Sequence, residues 1–426
     1  MKIRIGNTVV WFLLAVTFNL FVLAKIKTGM TISFTWLILS QLVSLVGLTL
    51  LSVSFILSGR FRFIEDWFGG LDKVYKIHHI TGGISFVLLL HHPLFLAINA
   101  LPNLAVSWKY LWFSGNWPYN YGVISLYGIL LLLVLTLLIN LPYATWKKTH
   151  EYMGLALLFG CLHVLTITSD VSRYQPLRIW AIFLLAFSMW SVVYKRFLYG
   201  VFGPKYVYLI DEIRRSNDVI ELWLKPATKK LNYFPGQFIF ASFDQINDEA
   251  HPFSIASGSG DERIKLGIKI LGDYTLRLKD LNLGDKVNIW GPYGRFFESA
   301  FGKKDMVWIA GGIGITPFLS LLSDETKKPT GRKIDLFYCV KSDNEAIFHN
   351  EIVDRISYNE TFNYKQYCSS IHGRISAKTI YESVGNLENK KILLCGPIPM
   401  MESLANQFKK LGVKNKDIIF EDFNFK

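Results

Sequence analysis

His78-His79-Ile80-Thr81-Gly82-Gly83-Ile84-Ser85-Phe86-Val87-Leu88-Leu89-Leu90-His91-His92-Pro93 is a long apolar run with a histidine pair at each end. Farther on, His150 and His163 bracket a dozen mostly apolar residues in the same way. An ionisable group inside lipid is costly, so an intramembrane histidine marks a functional site. Two helices that each carry histidines at two depths can hold two metal centres stacked across a bilayer. The four residues read as the ligands of two haems. From His78 to His92 is fourteen residues, a rise of about 21 Å that leaves the rings about 40° apart on an ideal helix. That spacing puts one centre near each leaflet of a hydrocarbon core about 30 Å thick. The pairs His78/His91 and His79/His92 splay by about 140°, which favours His78 and His92 over His79 and His91. His150 and His163 are also thirteen apart, so the second helix must bend or its rings must reach round.

Working outward, apolar runs at 9–24, 32–57, 78–98, 121–141, 150–169 and 178–198 predict six transmembrane helices in residues 1–200. The first has Lys2 and Arg4 before it, but no small-residue cleavage site follows, so it reads as a helix and not a signal peptide. Residues 1–200 hold 15 Lys/Arg against 5 Asp/Glu, while the remainder holds 31 against 28. The basic excess therefore belongs to membrane topology and is no nucleic-acid footprint. Ten of the flanking cations fall on the side of the N-terminus and five on the other. This predicts a multi-pass protein of the cell membrane with its N-terminus and its second half in the cytoplasm. His78 and His150 then lie at the inner end and His92 and His163 at the outer end. The outer loop from Ser107 to Tyr121 is rich in tryptophan and tyrosine and reads as an interfacial belt. Four cysteines show no framework spacing, as a reducing compartment leads one to expect.

After Tyr199-Gly200 the pattern turns to short alternating strands, such as Tyr206–Ile210, Val219–Leu224 and Gln237–Ala241, which predict a small antiparallel barrel over 201–302. From 303 to 426, apolar strands alternate with helices and predict a parallel α/β layer. Gly311-Gly312-Ile313-Gly314-Ile315-Thr316-Pro317 follows the first of these strands and opens a helix. Glycines there let a backbone approach a phosphate, and the helix N-terminus favours the anion.

Taken together these motifs resemble the ferric reductase and NADPH oxidase superfamily, most closely the bacterial homologues of NADPH oxidases, over nearly the whole chain. The resemblance implies a six-helix membrane bundle followed by a ferredoxin-reductase-like module of FAD barrel and NAD(P)H-binding α/β domain. It also implies haem ligation by His78, His92, His150 and His163, whose spacings of 14 and 13 match the family's. His251-Pro252-Phe253-Ser254-Ile255-Ala256-Ser257 is similar to the flavin motif. By resemblance, Phe253 lines the isoalloxazine, Ser254 bonds its reactive edge and His251 approaches the pyrophosphate. Gly272 and Thr275 resemble the second phosphate-binding segment. Gly311, Gly312, Gly314, Thr316 and Pro317 look like the nicotinamide nucleotide's pyrophosphate loop. Cys395-Gly396-Pro397 is similar to the family's second nucleotide motif, with Cys395 near the nicotinamide. Lys341 and Arg374 fall where the family contacts a 2′-phosphate, but Lys341 replaces the more usual Arg and loses its fork, so NADPH or NADH remains open. Phe423, with Phe425 as the alternative, is similar to the terminal aromatic that stacks on the flavin.

The expected activity is that of a transmembrane NAD(P)H oxidase. Electrons pass from cytosolic NADPH or NADH through FAD and two b-type haems to O2 outside, giving superoxide. Bis-histidine ligation fills both axial positions, so O2 meets the haem edge. A ferric-chelate or other acceptor reductase uses the same path and is the alternative. Beyond the lipid bilayer and a small-molecule acceptor no partner is evident, neither nucleic acid nor a protein activator.

Overall fold

The computed structural model describes residues 5–29, 35–296, 298, 302, 304–357 and 359–420. Two compact units divide the chain after Val201.

The first unit is helical. It runs α1 (Gly6–Lys27), α2 (Trp36–Ser58), α3 (Arg62–Phe68), α4 (Leu71–Asn99), α5 (Leu104–Leu111), α6 (Trp117–Leu137), α7 (Tyr143–Glu151), α8 (Met153–Thr166), α9 (Asp170–Arg173) and α10 (Gln175–Val193). The last continues through a π-turn at Tyr194–Leu198 into α11 (Tyr199–Phe202). Local chemistry sets several of the starts. The Thr35 hydroxyl caps α2 by accepting from the Ile38 N–H, and prolines occupy the first turns of α6 and α10.

Among the described residues five helical stretches are long and apolar enough to cross a bilayer: α1, α2, α4, α6 and Gln175–Phe202. The sixth expected span, over 150–169, is instead two helices that meet at Tyr152. There the Tyr152 and Leu155 N–H groups bond carbonyls three residues back, at 3.2 and 2.9 Å, and Ala156 reaches the Tyr152 carbonyl only at 3.4 Å. Such bonds tighten the turn to about 120° per residue, so three residues gain roughly 60° over an α-helix. That reduces the splay of about 140° that an ideal helix puts between His150 and His163. The junction also leaves α8 at 14 residues, a rise of about 21 Å.

Small residues let α2 and α4 lie close and antiparallel. A Cβ on Gly47 would stand 3.0 Å from the Leu89 Cγ, and one on Gly82 would stand 3.1 Å from the Ser54 Oγ. Lys25, near the end of α1, is fully buried, 2.6 Å from the Asp170 carboxylate and 2.5 Å from the Gln41 amide oxygen. This pair ties the α1 end to the α9 start, where neither charge has water to turn to.

In the second unit β1 (Lys205–Ser216), β2 (Val219–Pro226), β3 (Phe238–Phe243), β4 (Asn247–Ser254), β5 (Ile264–Lys269) and, after α12 (Asp273–Arg277), β6 (Lys286–Tyr293) form one antiparallel sheet. Its order is β4-β3-β6-β1-β2-β5. A bridge between Ile255 and Leu266 brings the two edges together, so the sheet curls onto a core of Tyr208, Leu222, Phe243, Leu266 and Ile289.

A second, parallel sheet is built from β7 (Met306–Gly311), α13 (Thr316–Lys327), β8 (Ile334–Val340), α14 (His349–Ile356), β9 (Phe362–Cys368), α15 (Ser369–His372), α16 (Ala377–Val384), β10 (Lys391–Cys395), α17 (Ile398–Lys410) and β11 (Ile418–Phe420). The strand order is β11-β10-β7-β8-β9. Met306, Trp308 and Ala310 face the α13 side, whereas Val307 and Ile309 face α16 and α17, so both faces are covered.

The Lys265 ammonium on β5 is 2.6 Å from Glu221 on β2 and 2.6 Å from Glu351 on α14, joining the two sheets of this unit. Lys265 and Glu221 are both buried. Lys265→Ala strands a buried carboxylate and is expected to destabilise the unit by about 3 kcal/mol, read as a fall in the thermal unfolding midpoint of the full chain.

Candidate functional site

α4 and the α7–α8 pair bring the four predicted histidines into the bundle as two sets. The His78 and His150 ring centroids are 6.1 Å apart with planes at 79°. Two imidazoles bound to opposite faces of one metal ion, with bonds of about 2.0–2.1 Å, hold their centroids roughly 6 Å apart. The first pair stands at about that separation. His150 lies parallel to Trp146, with an interplanar angle of 9°. At the other end His92 sits on α4 and His163 on α8. Gly122 on α6 makes room for His163, since a Cβ there would stand 3.0 Å from its Nδ1.

The remaining two histidines are placed differently. The His91 Nδ1 is 2.7 Å from the Val87 carbonyl of its own helix, in a contact open to the outside of the bundle. His79 is exposed, with its ring 5.7 Å from that of His78.

Hydrogen bonds to Nδ1 set the orientation of three of these four histidine rings. His78 Nδ1 lies 2.8 Å from the Ser54 carbonyl and 2.9 Å from its hydroxyl. His92 Nδ1 lies 3.1 Å from the Ser40 carbonyl and 2.8 Å from its hydroxyl. His163 Nδ1 is 2.7 Å from the Pro118 carbonyl. A carbonyl only accepts, so each of these nitrogens carries the proton and Nε2 presents its lone pair. The histidine spacing by itself does not single out these serines. A signal is present nonetheless: Ser40 and Ser54 are fourteen residues apart, as are His78 and His92.

In the curled sheet, β4 carries Pro252, Phe253 and Ser254 beside β3, with Phe253 opposite Ile239 and Ser254 opposite Phe238. The His251 ring stacks on Tyr274 at 3.6 Å between centroids. This contact joins the two segments expected to take the flavin, 251–254 and 272–275. Thr275 caps the short α12, accepting from the Leu271 and Gly272 N–H groups at 2.9 and 3.1 Å. Ser257, expected among the cofactor contacts, is committed inward. It is buried, its hydroxyl is 2.9 Å from the Tyr233 hydroxyl and accepts from the Lys265 N–H, and its carbonyl accepts from Ser320 at 2.6 Å. The bond from Ser320 joins the barrel to α13. Burial also pushes the Tyr233 phenol well above its usual range, so that hydroxyl stays protonated.

In the parallel sheet the chain runs from β7 outward to β8 and β9, then returns to the other side of β7 with β10. Ligands of open α/β sheets bind beyond the strand ends at such a reversal. Gly311–Pro317 and Cys395–Pro397 meet there. A Cβ on Gly314 would lie 2.4 Å from the Cys395 carbonyl oxygen, and one on Gly396 would lie 2.9 Å from the Gly311 Cα. Only glycine allows two backbones this close. Gly312, at φ +53°, faces open space, and Pro317 stands in the first turn of α13. Thr316 is buried and donates to the Ile313 carbonyl at 3.0 Å. Cys395 is also buried, packed in the core on the α13 face.

Lys341 and Arg374 are both exposed, in the loops after β8 and α15. The Ser370 N–H bonds the Lys341 carbonyl at 3.0 Å, which ties α15 to the first of those loops. Beside them a cavity of about 530 Å³ is lined by Asp343, His349, Asn350, Gln366 and Cys368. The Cys368 thiol and the Gln366 amide, 2.8 and 2.6 Å away, hold the Asp343 carboxyl below the usual range. Phe423 and Phe425 lie outside the described residues.

The chain matches three family models: ferric reductase like transmembrane component over residues 43–161, FAD-binding domain over 207–296, and oxidoreductase NAD-binding domain over 308–406. It is 28% identical to a superoxide-generating NADPH oxidase heavy chain of Dictyostelium discoideum, over 50% of this chain and 33% of that protein. It is also 28% identical to ferric reduction oxidase 8, mitochondrial, of Arabidopsis thaliana, over 46% of this chain and 32% of that protein. The chain thus spans about a third of the length of each. A flavohemoglobin structure from Malassezia yamatoensis, with bound FAD and heme, superposes with a TM-score of 0.53 at 16% identity. It covers 90% of this chain and 96% of that chain, a likeness of fold.

Proposed function

For a chain that belongs to the ferric reductase and NADPH oxidase superfamily, we propose the following activity: electron transfer across the membrane from NADPH or NADH to O2, releasing superoxide. The observation that carries this reading is the His78–His150 pair, two imidazoles with centroids 6.1 Å apart inside an apolar bundle. His78 and His150 would hold one b-type haem, and His92 and His163 a second about 21 Å along α4. Flavin accepts a hydride's electron pair and haem carries electrons singly, so FAD between nucleotide and haem supplies the change of step.

The chain's own residues bind and orient. Gly311, Gly312 and Gly314 offer backbone at the opening of α13 for the nucleotide's pyrophosphate, and Gly396-Pro397 forms the facing wall with Cys395 behind it. Lys341 and Arg374 present cations toward the adenosine end. His251, stacked on Tyr274, faces the flavin phosphates together with Gly272 and Thr275, while Pro252, Phe253 and Ser254 meet the ring. The distribution of Lys and Arg supports placing the N-terminus and the second unit in the cytoplasm of a cell. Ferric chelates or another small acceptor remain the second reading, favoured by the likeness to a ferric reduction oxidase.

The test is made on purified full-length protein. Two low-spin haems and one flavin per chain, with NAD(P)H-dependent superoxide that added ferric chelate does not suppress, are expected. Chelate reduction that displaces superoxide would select the second reading. Phe423→Ser is expected to change nucleotide KM several-fold and to alter the NADPH/NADH ratio, with haem content unchanged. The same change produced by Phe425→Ser alone would move the role to Phe425.

A further inference from the structure

α2 carries no predicted ligand, yet it meets both ligand histidines of α4 with the same device. Ser40 and Ser54 are fourteen residues apart, matching His78 and His92 on the antiparallel neighbour. At each point the serine makes a closed, two-way clamp. The ring Nδ1–H points at the serine's carbonyl and hydroxyl oxygens together, at 2.8 and 2.9 Å for Ser54 and 3.1 and 2.8 Å for Ser40. The hydroxyl proton is committed elsewhere: Ser54 donates to the His78 carbonyl at 3.2 Å and Ser40 to the His92 carbonyl at 2.9 Å. With its proton so used, the hydroxyl offers Nδ1–H a lone pair. Ser40 and Ser54 are at most 4% exposed, so no water competes for these bonds. Gly82 leaves the space in which the Ser54 hydroxyl stands.

We propose that Ser40 and Ser54 are positioning residues of the two haem sites, holding His92 and His78 as Nδ1–H tautomers and setting the electron-donating strength of Nε2 toward iron. The inference rests on the haem reading above. A neutral imidazole whose distal N–H is hydrogen-bonded is a more basic ligand, and a more basic ligand favours ferric over ferrous iron. The two ends differ in the opposite ligand. His163 has a carbonyl acceptor for its Nδ1, whereas the His150 Nδ1 has no hydrogen-bond partner among the described residues. At the His78 end, among the described residues, the serine clamp is therefore the one such restraint on either ring. Ser54 is expected to matter more than Ser40.

Potentiometric titration of the haem absorbance, with EPR of the ferric state, tests this on the full-length protein. Ser40→Ala and Ser54→Ala each keep two haems and move one of the two potentials upward, different potentials in the two variants and a larger shift for Ser54→Ala. The carbonyl acceptor survives in both, so the expected change is roughly three- to tenfold in the one-electron equilibrium, about 30–60 mV at 59 mV per tenfold. Ser54→Thr, which keeps the hydroxyl, should titrate like the parent. If an alanine variant fails to accumulate, Ser→Cys at the same position, similar in shape but a weak acceptor, gives the same upward shift. Loss of stability with both potentials unmoved would overturn the proposal and leave the serines as helix-packing residues. Parent protein without haem would sink the haem reading itself, a result separate from two haems that ignore the serines.

Discussion

His92→Ala and His163→Ala are each expected to yield protein with a single haem that still accepts hydride from NAD(P)H but no longer reduces an external acceptor above background. On the proposed ligation an alanine removes the one nitrogen, Nε2, that either residue would offer to iron, and no stand-in is placed for it among the described residues. The nearest alternative, His91, spends its Nδ1 on the Val87 carbonyl, in a contact on the outside of the bundle. Flavin reduction depends on the second unit, which contains the FAD-binding and NAD-binding domains, and should be spared. Haem per chain by pyridine haemochrome, set beside stopped-flow flavin bleaching, reads both quantities. Two haems retained in either variant would refute the ligand assignment, and a His91→Ala variant that lost one would redirect it.

Gly314→Val is expected to have a comparably large effect on the nucleotide side. The valine Cβ would fall 2.4 Å from the Cys395 carbonyl oxygen and 2.7 Å from the Gly396 nitrogen, both backbone atoms of a buried strand end. Neither can swing away as a side chain could, so β7 and β10 must part where the two glycine motifs meet. Overpacking of this kind costs about 1–3 kcal/mol. Because the displaced backbone is the wall proposed for the nucleotide, affinity should weaken at least tenfold, about 1.4 kcal/mol. Gly312→Ala is the contrast. It faces open space at φ +53° and incurs only the left-handed backbone penalty of about 1–2 kcal/mol. Titrations with NADPH and NADH, alongside thermal unfolding, separate the two; unchanged affinity in Gly314→Val would remove this loop from the site.

The sequence by itself determined what is local in the chain. Apolar runs long enough to span a bilayer, alternation in 205–293 and buried strands followed by helices from 306 onward are patterns of neighbours along one element. Hydrophobic burial acts on them wherever the element comes to rest. The glycine motif after β7 and the histidines at matched depth were legible for the same reason. Tertiary structure decided everything that depends on phase and approach. Two three-residue-back hydrogen bonds, at Tyr152 and Leu155, reduce the splay that an ideal helix puts between His150 and His163, a local tightening that no helical wheel contains. Ser257 carries a hydroxyl in a flavin-like motif, yet packing turned it inward to Tyr233 and Lys265. Cys395 is remote in sequence from Gly311 and Gly314 and meets them only because parallel pairing sets β10 against β7. Ser40 and Ser54 are two small residues in an apolar helix, and only antiparallel packing at glycine distance sets each against an imidazole with no water to bond instead.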